Sequence, residues 1–386
     1  MVAAEGDPWA EIIGQDDAVA TLRRAASSPG TSAMTHAWLI TGPPGSGRSN
    51  LAFAFAAALL SPPEGIDHRV RVQVDARTHP DLVVLATEGV TISIHAAREA
   101  VQRAALSPAS SRYRVVVVED ADRMVERTSN TLLKALEEPP EDTVWILCAP
   151  GESDLLPTIR SRVRTVSLGV PDPDAVARLL VDRDGVDPGL AAQVAREAQS
   201  HIGMARRLAT SDAARARRFE TLDVALRVQT AGHAVLAAAR YVDIAGADAE
   251  AMSADQDAAE REQALRQLGI APGGTVPPQL RRQLRELEKA QKDRAKRGLR
   301  DGVDRILVDL LSLFRDILLT QLGVASELVN EAQRARIEEA ARGRRPEDAL
   351  AVLDAIQVAR ERIEANVPPL LALEALLVVV AMPDER

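Results

Sequence analysis

A single cysteine, Cys148, stands among 386 residues, which excludes a disulfide framework and any zinc site built from several thiolates. It follows the apolar run Val144 to Leu147 and reads as a small buried hydrophobe. Aromatic residues make up only 2%, and Tyr113 and Tyr241 are the only tyrosines. A platform on which successive single-stranded bases stack needs such rings and is not expected. No apolar run reaches the roughly 20 residues that span a bilayer; the most apolar stretch, Leu370 to Met382, is shorter and contains Glu374. The segment Met1 to Pro8 is acidic and broken by proline, unlike a signal peptide, so a cytoplasmic protein with no membrane contact is the expectation. Cations are in the minority, with 47 Lys and Arg against 56 Asp and Glu and a net charge of −9. DNA contact needs clustered Lys and Arg and therefore has to be local or shared with partners.

What is present looks globular, at 46% hydrophobic and 27% charged, and the length suggests two or three domains. From Trp9 to about Leu168, short apolar runs alternate with helical segments, the pattern of an α/β parallel sheet. The runs are Ala37 to Thr41, Leu82 to Ala86, Val115 to Val118, Val144 to Ala149 and Arg164 to Leu168. Most are apolar throughout, as strands buried on both faces are. After Pro171 the strands stop. Ala175 to about Asp223 reads as a small helical domain broken at Asp187, Pro188 and Gly189, and the remainder is helical apart from the Gly- and Pro-rich linker Ala271 to Pro278. The expected division is 1–168, 169–223 and 224–386. The clearest helix, Val303 to Leu322, places Val303, Ile306, Leu307, Leu310, Phe314, Ile317 and Leu318 on one broad apolar face, wide enough for intrachain and partner helices.

Two stretches carry chemistry. Trp38 to Ser49 reads as a strand, a glycine-rich turn and the start of an apolar helix, and Gly42 to Ser49 matches G-x-x-x-x-G-K-[ST] except that Arg48 replaces the lysine. Such glycines turn backbone N–H groups toward phosphate oxygens, and the helix start adds its positive end. Gly42, Pro43, Gly45, Ser46, Gly47, Arg48 and Ser49 are accordingly nucleotide-binding candidates. A planar guanidinium is not equivalent to the compact ammonium of lysine, so binding is expected to survive better than hydrolysis. The second stretch, Val115 to Asp122, is a β-branched strand that delivers Glu119 and Asp120 at its C-terminal end, the edge where open α/β sheets bind ligands.

Directly after that strand comes Ser129-Asn-Thr-Leu-Leu-Lys-Ala-Leu-Glu-Glu-Pro-Pro140, then Leu155-Leu-Pro-Thr-Ile-Arg-Ser-Arg-Val163, with Ile13-Gly14-Gln15 near the start. In this order and spacing, roughly Trp9 to Leu168 resembles the AAA+ subunits of bacterial DNA polymerase III clamp loaders. The resemblance implies an AAA+ P-loop domain with a parallel sheet, a small helical lid and an all-α C-terminal collar. It implies that Arg162 is an arginine finger reaching a neighbouring subunit's γ-phosphate, a role worth orders of magnitude in rate; a surface ion-pair arginine is the plain alternative, with Arg160 and Arg164 close by. The implied partners are the motor (gamma/tau) and delta subunits, the sliding clamp, and primer-template DNA through the complex.

Several positions depart from the family pattern. Active members end the acidic strand in Asp-Glu, whereas this chain has Glu119-Asp120, one carboxylate a methylene too long and the other a methylene too short where about 1 Å counts. In the lid, Gly203 stands where an arginine belongs, with Arg206 almost one turn later as a substitute. Val163 replaces a cysteine. The four-cysteine zinc module of many members has no counterpart in Ser61 to Arg77, so no zinc is expected, and His68 and His79 read as surface or capping residues. The implied role is a stator that donates a finger and turns over little ATP itself. ATP, ADP or an empty loop, with or without Mg2+, all stay open. The rival readings are a competent ATPase that accommodates Arg48 and Glu119, and an AAA+ repair or helicase-loading protein, which should lack the Leu132 to Pro140 run. Ser93 reads as the N-cap of a helix from Ile94 to Leu106. In the family that helix start lines a DNA chamber, making Ser93, Arg98 and Arg103 DNA-contact candidates, though a solvated charged face fits equally. The basic stretch Arg281 to Arg305, with its interleaved acids, reads as a salt-bridged helix.

Overall fold

The computed structural model describes residues 8–28, 30–62, 65–87, 91–267 and 281–382. They form two compact units, residues 1–210 and 211–386. In the first, five parallel strands, β1 (Ala37–Thr41), β2 (Leu82–Leu85), β3 (Arg114–Val118), β4 (Thr143–Ala149) and β5 (Arg164–Ser167), are ordered β2-β3-β4-β1-β5. Side chains alternate across the sheet. Trp38, Ile40, Val115, Val117, Ile146 and Cys148 pack in one cluster with residues of helices α1 (Asp16–Ser27) and α2 (Arg48–Leu60). Ala37, Leu39, Val116, Val118, Trp145 and Leu147 pack in the other with α4 (Ile94–Ala104) and α5 (Glu126–Glu137). Between α2 and β2 lies the short α3 (His68–Asp75). Two covered faces explain why β1, β3 and β4 are buried at every position and read as unbroken apolar runs. The architecture is a parallel α/β fold, and its topology sets the C-terminal ends of β1 and β3 on the same edge, two strands apart.

The short helix α6 (Pro157–Arg160) leads into β5. Beyond β5, α7 (Pro173–Asp184), α8 (Pro188–Glu197) and α9 (Ile202–Thr210) form the helical lid within the same unit. Asp172 and Asp187 cap α7 and α8 by accepting the N–H groups of Asp174 and Leu190 at 2.7 and 3.0 Å, each just ahead of a first-turn proline. The break at Asp187 to Gly189 is thus the start of α8.

The second unit is all helical: α10 (Asp212–Arg227), α11 (Ala231–Gln267), α12 (Arg281–Gln321), α13 (Arg334–Arg342), α14 (Pro346–Glu364) and α15 (Pro369–Ala381). Its core gathers Leu222, Ala225, Tyr241, Leu310, Phe314, Ile317, Ile356 and Leu377. The Tyr241 hydroxyl, fully buried, donates to the Thr221 carbonyl at 2.9 Å. Because α10 buries Leu222 and Ala225 in this core, the break between units falls after Thr210, not after Asp223. The helix expected from Val303 begins at Arg281. Its extra turns lack the broad apolar face and are instead held by charge: Arg294 pairs with Asp257 at 2.6 Å and Glu260 at 3.0 Å, and Arg261 with Glu288 at 3.5 Å. The linker Ala271 to Pro278 lies outside the described residues. Among the described residues no helix is long and apolar enough to cross a membrane.

Candidate nucleotide site and finger arginine

Gly42 leaves β1 with φ 154° and Gly45 follows with φ 81°, conformations that side chains avoid. A Cβ at Gly42 would sit 2.9 Å from the Leu168 carbonyl oxygen and 2.7 Å from Ser46 Oγ. The loop closes on itself through Ser46 N–H donating to the Pro43 carbonyl at 3.1 Å, and α2 begins as Leu51 N–H bonds the Gly47 carbonyl at 2.9 Å. Ser46 Oγ is buried and has no hydrogen-bond partner among the described residues, a costly state that an incoming anion relieves. Arg48 does not point outward as a free cation. Its Nη1 turns back and donates to the Gly42 carbonyl at 2.6 Å.

At the end of β3, Glu119 N–H donates to the Leu85 carbonyl at 3.0 Å, extending the β2–β3 ladder. Its carboxylate meets Arg77 Nη2 at 2.8 Å. Burial holds the Asp122 carboxyl above its ordinary value, with nearby Asp120 adding to the effect. Burial likewise pushes the Cys148 thiol up to about 12; Arg48 opposes the shift, while Glu119, Asp120 and Asp122 reinforce it. The Cys148 thiol donates to the Arg48 carbonyl at 3.9 Å, and β1 and β3, which lead into the loop and the acidic residues, end on one sheet edge.

The lid closes the third side. Ile202 N–H donates to the Gly45 carbonyl at 3.3 Å. The His201 ring lies so close that a Cβ at Gly45 would be 2.2 Å from its Cγ, and one at Gly203 3.5 Å from its Cε1. His201 Nδ1 accepts Met204 N–H at 3.2 Å, seating the ring at the start of α9. Sequence reasoning searched this segment only for an arginine and missed the histidine one residue before Ile202. Arg206 does not substitute for the missing arginine: its guanidinium pairs with Asp184 of α7 at 3.1 Å. Gln15 joins the segment before α1 to the connection between β5 and α7, its amide exchanging hydrogen bonds with the backbone of Gly169 at 2.9 and 3.0 Å.

Arg162 lies between α6 and β5, away from these groups in sequence and partly exposed. Its Nη2 is 2.5 Å from Glu137 and its Nη1 donates to the Thr158 carbonyl at 2.6 Å. Val163 packs against the apolar cluster beneath it, which suits an aliphatic residue. Ser93 caps α4 by accepting Ala96 N–H at 3.1 Å, and Arg98 and Arg103 are exposed on that helix, which ends at Ala104. His68 is exposed, at the first position of α3 behind the Asp67 cap. His79 is buried, not a surface residue; its Nδ1 accepts Asp81 N–H at 3.1 Å. The Gly-rich cradle, with the partnerless Ser46 hydroxyl, fits the phosphates of a nucleotide. It fits Mg2+ poorly, because a guanidinium already stands 2.8 Å from Glu119 Oε1, where a second cation drawing its ligand oxygens to about 2.1 Å would meet like-charge repulsion.

A family model described as DNA polymerase III, delta subunit, matches residues 14–172. DNA polymerase III subunit gamma/tau of Mycobacterium tuberculosis is 32% identical over 190 residues, 46% of this chain and 32% of that protein. Subunit delta' of Bacillus subtilis is 30% identical over 165 residues, 41% of this chain and 49% of that protein. Subunit delta' of Pseudomonas aeruginosa is 36% identical over 151 residues, covering 37% and 45% of the two chains. The chain thus spans a third to a half of the length of these relatives.

Proposed function

We propose, from the match of residues 14–172 to the DNA polymerase III delta-subunit model, that this chain is a delta-prime-type stator of a bacterial clamp loader. It completes a ring with the motor and delta subunits through its helical second unit. It assists ATP-driven loading of the sliding clamp onto primed DNA in the cytoplasm. Its own pocket does little or no hydrolysis, and Arg162 acts on a neighbouring subunit's ATP.

The observation that carries this reading is a contrast between two arginines. Arg162 is held at a partly exposed position by Glu137 and Thr158, suited to contact in trans. Arg48, at the position that should reach a bound phosphate, is turned onto the loop's own Gly42 carbonyl. Glu119 and Gly203 add two more departures in the same pocket. An inserted arginine stabilises charge that develops during phosphoryl transfer.

Arg162→Ala in the reconstituted loader tests the proposal. Assembly is expected to survive, while ATP hydrolysis stimulated by DNA and clamp falls several-fold. Unchanged hydrolysis in a fully assembled complex removes Arg162 from the mechanism. The similarity to gamma/tau favours a second reading, a competent ATPase; hydrolysis by the purified chain alone at the rate of the motor subunit would establish it instead.

A further inference from the structure

The Arg77 side chain is half-exposed, at 50%, yet its backbone, an aromatic ring and a carboxylate all restrain it. The residue occupies the left-handed region at φ 57°, a conformation disfavoured for a long side chain. The turn after α3 holds it there, with Arg77 N–H bonding the Val74 carbonyl at 2.9 Å. The guanidinium lies over the Phe53 ring of α2, 5.2 Å from its centroid, and presents Nη2 at 2.8 Å to Glu119 Oε1. Packing on one side and ion pairing on the other fix a planar cation in front of the carboxylate. Glu119 is largely buried, with its side chain 13% exposed. A charge so placed needs a counter-charge, and Arg77 supplies it.

In a phosphate loop of this architecture the carboxylate after the acidic strand serves a divalent cation. Here a guanidinium stands 2.8 Å from one of that carboxylate's oxygens, Oε1. Mg2+ demands a near-octahedral oxygen shell and gives up water reluctantly; it cannot share the same oxygen with a guanidinium at hydrogen-bond distance without like-charge repulsion. We infer that Arg77 is a resident cation that takes the place of Mg2+ at Glu119, so the loop binds nucleotide phosphates without a divalent metal. Arg48 and Arg77 supply the site's positive charge. The inference concerns this chain's own pocket and stands whether or not Arg162 works in trans.

Two measurements on the full chain test it. The first titrates ADP in excess Mg2+ and in EDTA. In the wild type the two affinities are expected to agree within about twofold, whereas in Arg77→Gly, whose glycine suits the positive φ, binding in Mg2+ is expected to become about tenfold tighter than in EDTA. Arg77→Lys keeps a cation and is expected to stay metal-independent. The second measurement follows Mn2+ by electron paramagnetic resonance without nucleotide: the wild type should leave the ion free and Arg77→Gly should bind it. A wild type that holds Mn2+, or whose ADP affinity collapses in EDTA, overturns the inference, as does an Arg77→Gly protein that folds but gains no metal dependence in either assay. If neither protein binds ADP, the nucleotide reading of the loop fails, and the Mn2+ comparison alone decides the role of Arg77.

Discussion

The guanidinium of Arg162 lies 2.5 Å from the carboxylate of Glu137, joining the end of the Leu132 to Pro140 run to the loop before β5. The same guanidinium donates to the Thr158 carbonyl and the Ser161 hydroxyl, at 2.6 and 3.0 Å. Three acceptors fix the Arg162 guanidinium, and the proposed action in trans depends on such placement, since transition-state contacts are sensitive to it. Glu137→Gln is therefore expected to lower the stimulated hydrolysis of the assembled loader while leaving KM for ATP unchanged. Both side chains are partly exposed, so the folded stability should move by less than about 1 kcal/mol. Full activity in Glu137→Gln would show that Glu137 does not position the finger; a large loss of thermal stability would show that the pair is mainly structural.

The hairpin of α11 and α12 rests on close approach between small residues. A Cβ at Gly302 would lie 3.0 Å from both the Ala245 Cβ and its carbonyl oxygen. Helix propensity alone would make Gly302→Ala stabilising by about 1 kcal/mol, but overpacking against backbone costs about 1–3 kcal/mol, because a main-chain carbonyl cannot swing aside. The net expectation is a lower unfolding midpoint in urea. Gly246, on α11, has open space around its Cβ position, and Gly246→Ala should raise the midpoint. Equal shifts in the two variants would refute the packing argument.

Asp81 and His79 predict a stepped acid sensitivity. Burial by itself would raise the Asp81 carboxyl, but hydrogen bonds from the backbone of Ala109, Ser110 and Ser111 and from the Ser110 hydroxyl hold it below its ordinary value. Burial lowers His79, opposed by the charge of Asp81. In both cases the unfolded chain binds the proton more readily, so stability falls as pH falls. The His79 contribution begins to fade below about pH 6.5 and that of Asp81 below about pH 4. Asp81 also pairs with the buried Arg114 guanidinium at 3.3 Å, so Asp81→Asn should cost about 3 kcal/mol at pH 7 and flatten the low-pH step. Chemical unfolding across pH 3 to 8 reads both effects, and a variant that keeps the wild-type step below about pH 4 would exclude Asp81 as its source.

Cys148, fully buried in β4 with its thiol pushed up to about 12, stays protonated at ordinary pH. The thiolate is the reactive form, so iodoacetamide should label the folded chain at pH 8 only as fast as the first unit opens. Added urea should raise labelling in step with unfolding. Rapid labelling of the native protein, independent of urea, would contradict the assignment.

Much of the first unit was legible because parallel strands buried on both faces announce themselves as apolar runs. All five strands lie where those runs predict, and Ser93 caps α4 as its hydroxyl and position imply. The glycine spacing around Gly42 to Ser49 marked the phosphate loop because a positive φ is a local demand that glycine meets at the least cost. The second unit was less legible. The outer turns of α12 carry ion pairs rather than an apolar stripe, so periodicity saw only the part from Val303 onward. The break at Thr210 depends on where Leu222 and Ala225 are buried, which no local pattern states.

The sequence by itself determined the fold class, the loop, and the substitutions Arg48, Glu119-Asp120 and Gly203, since each is a residue type at a fixed offset within a motif. Only the tertiary structure decided what fills the space those substitutions leave. His201 covers Gly45, Arg206 turns away to Asp184, and Arg77 stands before Glu119. Each of these pairs joins residues more than one element apart in the chain, brought together by the order of parallel strands, by the docking of the lid or, for Arg206 and Asp184, by packing within it. Pair energies of that kind depend on distance in space and leave no periodic trace along the chain.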